Sequence, residues 1–189
     1  EYDESDIPLL LDMLSDDSEM TFWPNIVVML GILGNDETAG ILIDFIGSGT
    51  GVLTRLHYDT ASAAIMSLGY LTNRANSERA IRYLEDGVTP SQWNTRVQWF
   101  GPSHDNEEER NVALSELSVL GVVLGGKTSS LDSLYQAQSA TTDVGPSSLP
   151  VTSGTGGSPL SARLNRLIPD AIDELQVISC LLYTFPSPR

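Results

Sequence analysis

The sequence predicts an all-α chain, an α-solenoid of antiparallel helical hairpins, and three observations predict it. Apolar residues recur at helical spacing through most of the first 138 residues. The segments that carry them are short, near or below the roughly 12–15 residues at which a lone helix becomes stable in water, so each must bury its stripe against a neighbour. A Leu-Gly pair also recurs late in the first helix of successive units, at Leu30-Gly31, Leu68-Gly69 and Leu120-Gly121. Gly31 and Gly69 lie 38 residues apart, close to the period of about 40 expected of helical-hairpin arrays. Gly69 and Gly121 lie 52 apart, and a Trp-bearing insertion accounts for the excess.

Taken in order, residues 5–15 read as a helix with Ile7, Leu10, Leu11 and Leu14 on one face. Pro8 is tolerated in its first turn, and Ser5 or Asp6 can cap it. It looks like the second helix of a pair whose first lies upstream. Residues 21–33 form the next helix, with Phe22, Ile26, Met29, Leu30 and Leu33 inward, and Gly34-Asn35-Asp36 ends it. Residues 38–46 are its partner, with Ile41, Leu42, Phe45 and Ile46 inward, and the Gly-rich stretch 47–51 is a flexible connector.

The most regular unit follows. Ala61, Ala64, Ile65, Leu68 and Leu71 make one stripe, with Asp59 or Thr60 as cap. Residues 72–76 are a polar turn; Ser77 caps a second helix with Ala80, Ile81 and Leu84 inward, and Gly87 stops it. Residues 88–106 are an insertion. Residues 107–124 form another helix with Ala113, Leu117, Leu120 and Leu124 on its stripe and three Glu at its positive end. Ser130 caps a short partner helix containing Leu131, Leu134 and Tyr135. Residues 139–159, rich in Ser, Thr, Gly and Pro, read as a disordered linker. A brief helix before Pro169 and another over 170–182 close the chain, with 160–178 as a short helical segment.

With 189 residues, 41% of them hydrophobic, there is enough chain for a substantial core. The formal net charge is −15, from 25 acidic and 10 basic residues. That balance argues against nucleic acid, which needs a basic surface, and against anionic membranes. Its plain reading is an acidic surface that keeps the protein dissolved; a protein partner with a basic surface is the sharper one. Eleven carboxylates and no basic residue precede Arg55. The single cysteine, Cys180, rules out a disulfide within the chain. No apolar run approaches the ~18–20 residues of a membrane span. The chain begins at Glu1, without Met, as a fragment, a processed form or a trimmed one would.

The stretches DIPLLLDMLSDD, NIVVMLGILGNDETAGILIDFI and AAIMSLGYLTNRANSERAIRYLED together resemble HEAT repeats. They are most similar to the short bacterial type, in which an apolar helix ending Leu-Gly-x-Leu precedes a polar turn and a second helix. The resemblance covers residues 5 to about 138, and the irregular spacing and long insertion depart from it. It implies a bacterial α-solenoid, cytoplasmic or exported, that binds another protein without catalysis and without a cofactor. A competing implication is a HEAT-like lyase or chaperone that attaches bilin pigments, although no residue here selects it. The last eleven residues, 179–189, resemble instead a translated sequencing-adapter read; on that reading the tail, with Cys180, is foreign to the natural protein.

Few residues suggest chemistry. Residues 121–128, GVVLGGKT, match the spacing of a phosphate-binding loop, but that loop must follow a strand and keep its N–H groups free. Here the run continues a helical stripe, so coincidence is the plainer account and nucleotide binding the weaker alternative. His57 and His104 have no metal-ligand spacing to any Cys or second His, and no nucleophile elbow is present. No catalytic or metal residue is therefore expected. The partner-binding candidates are Trp93, Trp99 and Phe100 in the insertion, because aromatic side chains dominate binding hot spots and loops carry function. The opposing reading is that they fold back over the edge of the stack. Arg79 and Arg82 on the short second helix are the other candidates, facing either a partner or solvent.

Overall fold

The computed structural model describes residues 3–52, 54–100, 106–142 and 159–184. The chain is mostly helical, as the apolar periodicity predicts. Helix α1 (Ile7–Leu14) leads through a 3-10 stretch into α2 (Trp23–Leu33), and α3 (Asp36–Gly47) returns alongside. Strand β1 (Thr50–Val52) precedes the long α4 (Arg55–Ala75) and its partner α5 (Glu78–Gly87). A 3-10 turn, the single-turn α6 (Trp93–Arg96) and strand β2 (Gln98–Phe100) lead to α7 (Glu107–Gly125), α8 (Leu131–Thr142) and α9 (Pro159–Thr184).

Local chemistry sets most helix ends. The Asn35 side chain accepts from the N–H groups of Glu37 and Thr38 at the start of α3, and Ser77 Oγ accepts from Ala80 N–H at the start of α5. Thr54 and Asn106 do the same for α4 and α7. Asn76, with φ of 50°, ends α4 in the left-handed conformation that Asn tolerates better than most residues. Helix α4 thus outruns its expected bounds at both ends: it begins six residues before Ala61 and includes Thr72–Ala75 of the expected turn.

The helices pack in two rows. Helices α1, α2, α4, α7 and α9 are successive neighbours in one row, and α3, α5 and α8 in the other, each pair α2–α3, α4–α5 also touching across the rows. A continuous core runs through both, from Leu10 and Leu14 through Leu30, Leu68 and Leu84 to Leu134, Leu164 and Leu175.

The recurring Leu-Gly pair marks where the first-row helices cross. A Cβ added to Gly31 would lie 2.7 Å from Ser67 Cβ; one added to Gly69 would lie 2.7 Å from the Gly121 carbonyl oxygen. No side chain fits between the backbones there, and glycine is the residue that lets them touch. The turns between hairpins are also tied together. Arg74 donates to the Gly34 carbonyl, and Ser77 Oγ donates to Asp36 Oδ1 at 2.7 Å. One unit on, Lys127 donates to Asn76, and Ser130 Oγ donates to Glu85 Oε1 at 2.7 Å.

Several expectations are corrected. Trp23, not Phe22, faces inward on α2; Phe22 is exposed, and on α3 Ile41 is exposed while Thr38 and Ala39 are buried. On α7 the buried side carries Val112, Leu114, Val119 and Val122 together with Asn111, Ser115, Ser118, Gly121 and Gly125, while the expected stripe of Ala113, Leu117 and Leu124 is half-buried and Leu120 is exposed. The buried side is thus rotated from the expected stripe and mixes Leu and Val with the small residues that close helix crossings require. The Gly-rich connector and the insertion pair in parallel, Thr50 with Gln98 through Val52 with Phe100. Residues 139–142 extend α8, and residues 143–158 of the expected linker lie outside the described residues.

The two short C-terminal helices are one, with Pro169 inside it. An interior proline costs about 3 kcal/mol through its missing N–H and the clash of its ring. Leu164, Ile168, Ala171, Ile172 and Leu175 are all buried, so apolar contact continues on both sides of Pro169 and offsets that cost. This helix packs on α7 and α8 and belongs to the same core.

Candidate interaction surface

The insertion is built inward. Trp93 and Trp99 are both 0% exposed. Trp93 Nε1 donates to the Gly87 carbonyl at 2.8 Å, and its ring meets Tyr83 edge-on at 5.7 Å. Trp99 Nε1 donates to the Ile46 carbonyl at 2.8 Å, and its ring meets Tyr58 edge-on at 5.9 Å. These indoles stitch the insertion to α3, α4 and α5. They are anchors of the fold, which removes them from any contact surface; the Phe100 side chain lies outside the described ones.

A buried arginine completes the seam. Arg110, 3% exposed, donates from Nη1 to the Trp99 carbonyl at 3.0 Å and from Nη2 to Asn111 Oδ1 at 2.7 Å, with Glu107 at 3.7 Å. Burial works against its charge, with Glu107 opposing that effect. Nothing in the local sequence marked Arg110, which reads there as a surface residue of a Glu-rich first turn.

Arg79 and Arg82 lie on the outer side of α5, where an open groove of about 370 Å³ runs between α3 and α5. Ile43, Asp44, Arg79, Arg82, Asp86 and Arg96 line it. Arg79 Nε sits 3.1 Å from Asp36 Oδ2, and Arg82 Nη2 sits 3.2 Å from Glu78 Oε2 on the next turn of the same helix. Both pairs are exposed, the kind worth about 0–1 kcal/mol, so they can be exchanged for a partner's groups at little cost.

Arg96 is more firmly held. It donates to the Tyr83 carbonyl at 2.7 Å, pairs with Asp86 at 3.1 Å and stacks over the Tyr83 ring at 4.3 Å. Burial pushes the Tyr83 hydroxyl up to about 12, with Arg96 opposing. Ser77, through its hydrogen bond, holds the Asp36 carboxyl below its ordinary value, with smaller help from Arg79. Arg96 carries no local signal, because its helix is four residues long and the groove joins segments far apart.

The phosphate-loop spacing has a structural explanation. Residues 121–125 are the last turn of α7, Gly126 caps it with φ of 62°, and its N–H is spent on the Val122 and Val123 carbonyls. Lys127 reaches Asn76 instead. His57 stands among aromatic rings, 5.1 Å from Trp23 and 6.4 Å from Phe45, while His104 lies outside the described residues. Among the described residues no three His, Cys, Asp or Glu side chains are grouped to hold a metal ion, and no helix is long and apolar enough to cross a membrane. Comparison with family models, curated proteins and solved structures found no match to this chain.

Proposed function

We propose that the chain is a non-enzymatic interaction scaffold, an α-solenoid of HEAT-like hairpins that holds another protein along the α3–α5 groove. The supporting observation is the convergence there of Arg79, Arg82 and Arg96, three of the ten basic residues of a chain with net charge −15. The same groove is lined by Asp44 and Asp86 and by Ile43 and Tyr83, so it presents both charges together with apolar surface. A partner surface carrying both signs fits it, and its basic groups meet the acidic remainder of the chain.

The test is a capture experiment with the wild type and the double variant Arg79→Glu, Arg82→Glu, checked by circular dichroism for retained helix. The expected result is a partner retained by the wild type and lost by the folded variant. Equal capture by both would overturn the assignment of the groove.

A further inference from the structure

Glu116 lies on α7 where α9 crosses it. Its side chain is 13% exposed, and its Oε2 sits 2.7 Å from Arg163 Nη2 on α9. Its other oxygen, Oε1, is buried and accepts no hydrogen bond from the described residues. Arg163 is 64% exposed, so the pair is lopsided: the carboxylate has left water and the guanidinium has not. Around them, Tyr58 faces in from α4, with Asp59 beside it turned to Arg55, and Arg166 and Asp170 stand on α9 beside a groove floored by Leu120 and Leu167. Tyr135 on α8 accepts from Gln176 Nε2 at 2.6 Å further along.

A carboxylate stripped of water loses more than one exposed guanidinium returns unless its remaining lone pairs are satisfied. Here one oxygen is not. Burial accordingly pushes the Glu116 carboxyl up from its ordinary value, and Arg163 only partly opposes it. When α9 lifts away, that carboxylate regains water. Docking therefore buries apolar surface, at Leu164, Ile168 and Leu175, against an electrostatic load that release removes.

We propose that α9 is a releasable strap: it docks on the α7–α8 edge under the load of the half-satisfied Glu116 carboxylate, and it leaves as a unit while the rest of the stack stays folded. The residues that dock it, from Leu164 to Ile178, all precede the tail at 179–189. Release uncovers Leu134 and Ala137 of α8, on the face against which a further hairpin would stack. The strap does not depend on the α3–α5 groove being a binding site.

A folded-state carboxyl raised in this way favours docking when protonated, and that contribution is lost as pH rises through its raised value. Glu116→Gln mimics the protonated form at constant pH, and the Arg163 it leaves is already exposed. Arg163→Gln does the reverse and leaves the buried carboxylate alone. The two halves of one ion pair should therefore shift docking in opposite directions.

Limited trypsin digestion of the full chain reads this directly, because no Lys or Arg lies between Lys127 and Arg163. Cleavage after Arg166 reports α9, and cleavage after Arg74 and Arg110 reports α4 and α7. In the wild type the cut after Arg166 should precede the other two. It should slow several-fold in Glu116→Gln and quicken several-fold in Arg163→Gln, with the cuts after Arg74 and Arg110 unchanged. Three results would overturn the strap: both variants quickening the cut, neither moving it, or the cut after Arg166 keeping pace with that after Arg110.

Discussion

Between α4 and α7 the two backbones approach until Gly69 and Gly121 touch, and one turn on Thr72 packs on Gly125. Between α7 and α9 the contact is made by longer side chains, Leu164 and Ile168 among them, with a charged pair at its margin. The first seam has little freedom: an atom added at Gly69 meets the Gly121 backbone. The second seam is made of groups that can part and be solvated again. One molecule thus has a seam that defines the stack and a seam that can open without dissolving it.

The largest effect that tests this contrast is expected at Trp99. Removing a fully buried indole opens a cavity and leaves the Ile46 carbonyl without its donor, so Trp99→Ala should cost about 3–5 kcal/mol, read by urea unfolding. A variant as stable as wild type would show that the insertion is not part of the inner block. Next comes Gly69→Ala, where one methyl against the Gly121 carbonyl should cost about 1–3 kcal/mol in the main unfolding transition. Its counterpart on the outer seam, Leu167→Ala, should cost about 1 kcal/mol, and only in α9. Hydrogen exchange followed segment by segment separates the two; if Leu167→Ala loosened α4 as well, the seams would be one cooperative unit.

Smaller effects should appear at the turns. Asp36 has its carboxyl held low, chiefly by Ser77, so its contribution is present above the ordinary aspartate range and is lost as pH falls through its lowered value. Asp36→Ala should therefore remove part of the acid sensitivity of the folded state while lowering stability near neutral pH, measurable as a flatter melting temperature between acid and neutral buffer. Smallest of all is Lys127→Ala, expected within about 0.5 kcal/mol of wild type, and calorimetry with ATP should give no heat of binding for either chain.

The helices α1 to α5, α7 and α8 were readable because local periodicity and local caps agree: Ser77 at the start of α5 and Pro8 early in α1 act on their own neighbours. The orientation of α7 was not, because apolar residues stand all round it, and the buried side is the one where Gly121, Gly125, Ser115 and Ser118 accompany Leu114 and Val119. The strand pair was hidden because its halves are remote and each is only three residues long. The continuity of α9 was hidden by Pro169, whose local cost is outweighed by contacts with α7 and α8 that the segment does not contain. Of the surface candidates, Arg79 and Arg82 could be named from their helix face, but Arg96 and the groove it completes exist only once α3, α5 and α6 meet.

The pairing of β1 with β2 has a consequence for how the chain reaches this structure. Hairpin arrays fold through contacts between neighbours, so order can start in any unit and spread. The strand pair joins points roughly fifty residues apart, and the entropy of closing such a loop must be met before any ladder hydrogen bond forms. It is therefore the step that waits for α4 and α5 to be in place. Once closed it acts as a buckle on the middle of the chain, tying the segment before α4 to the segment after α6 across the α4–α5 hairpin.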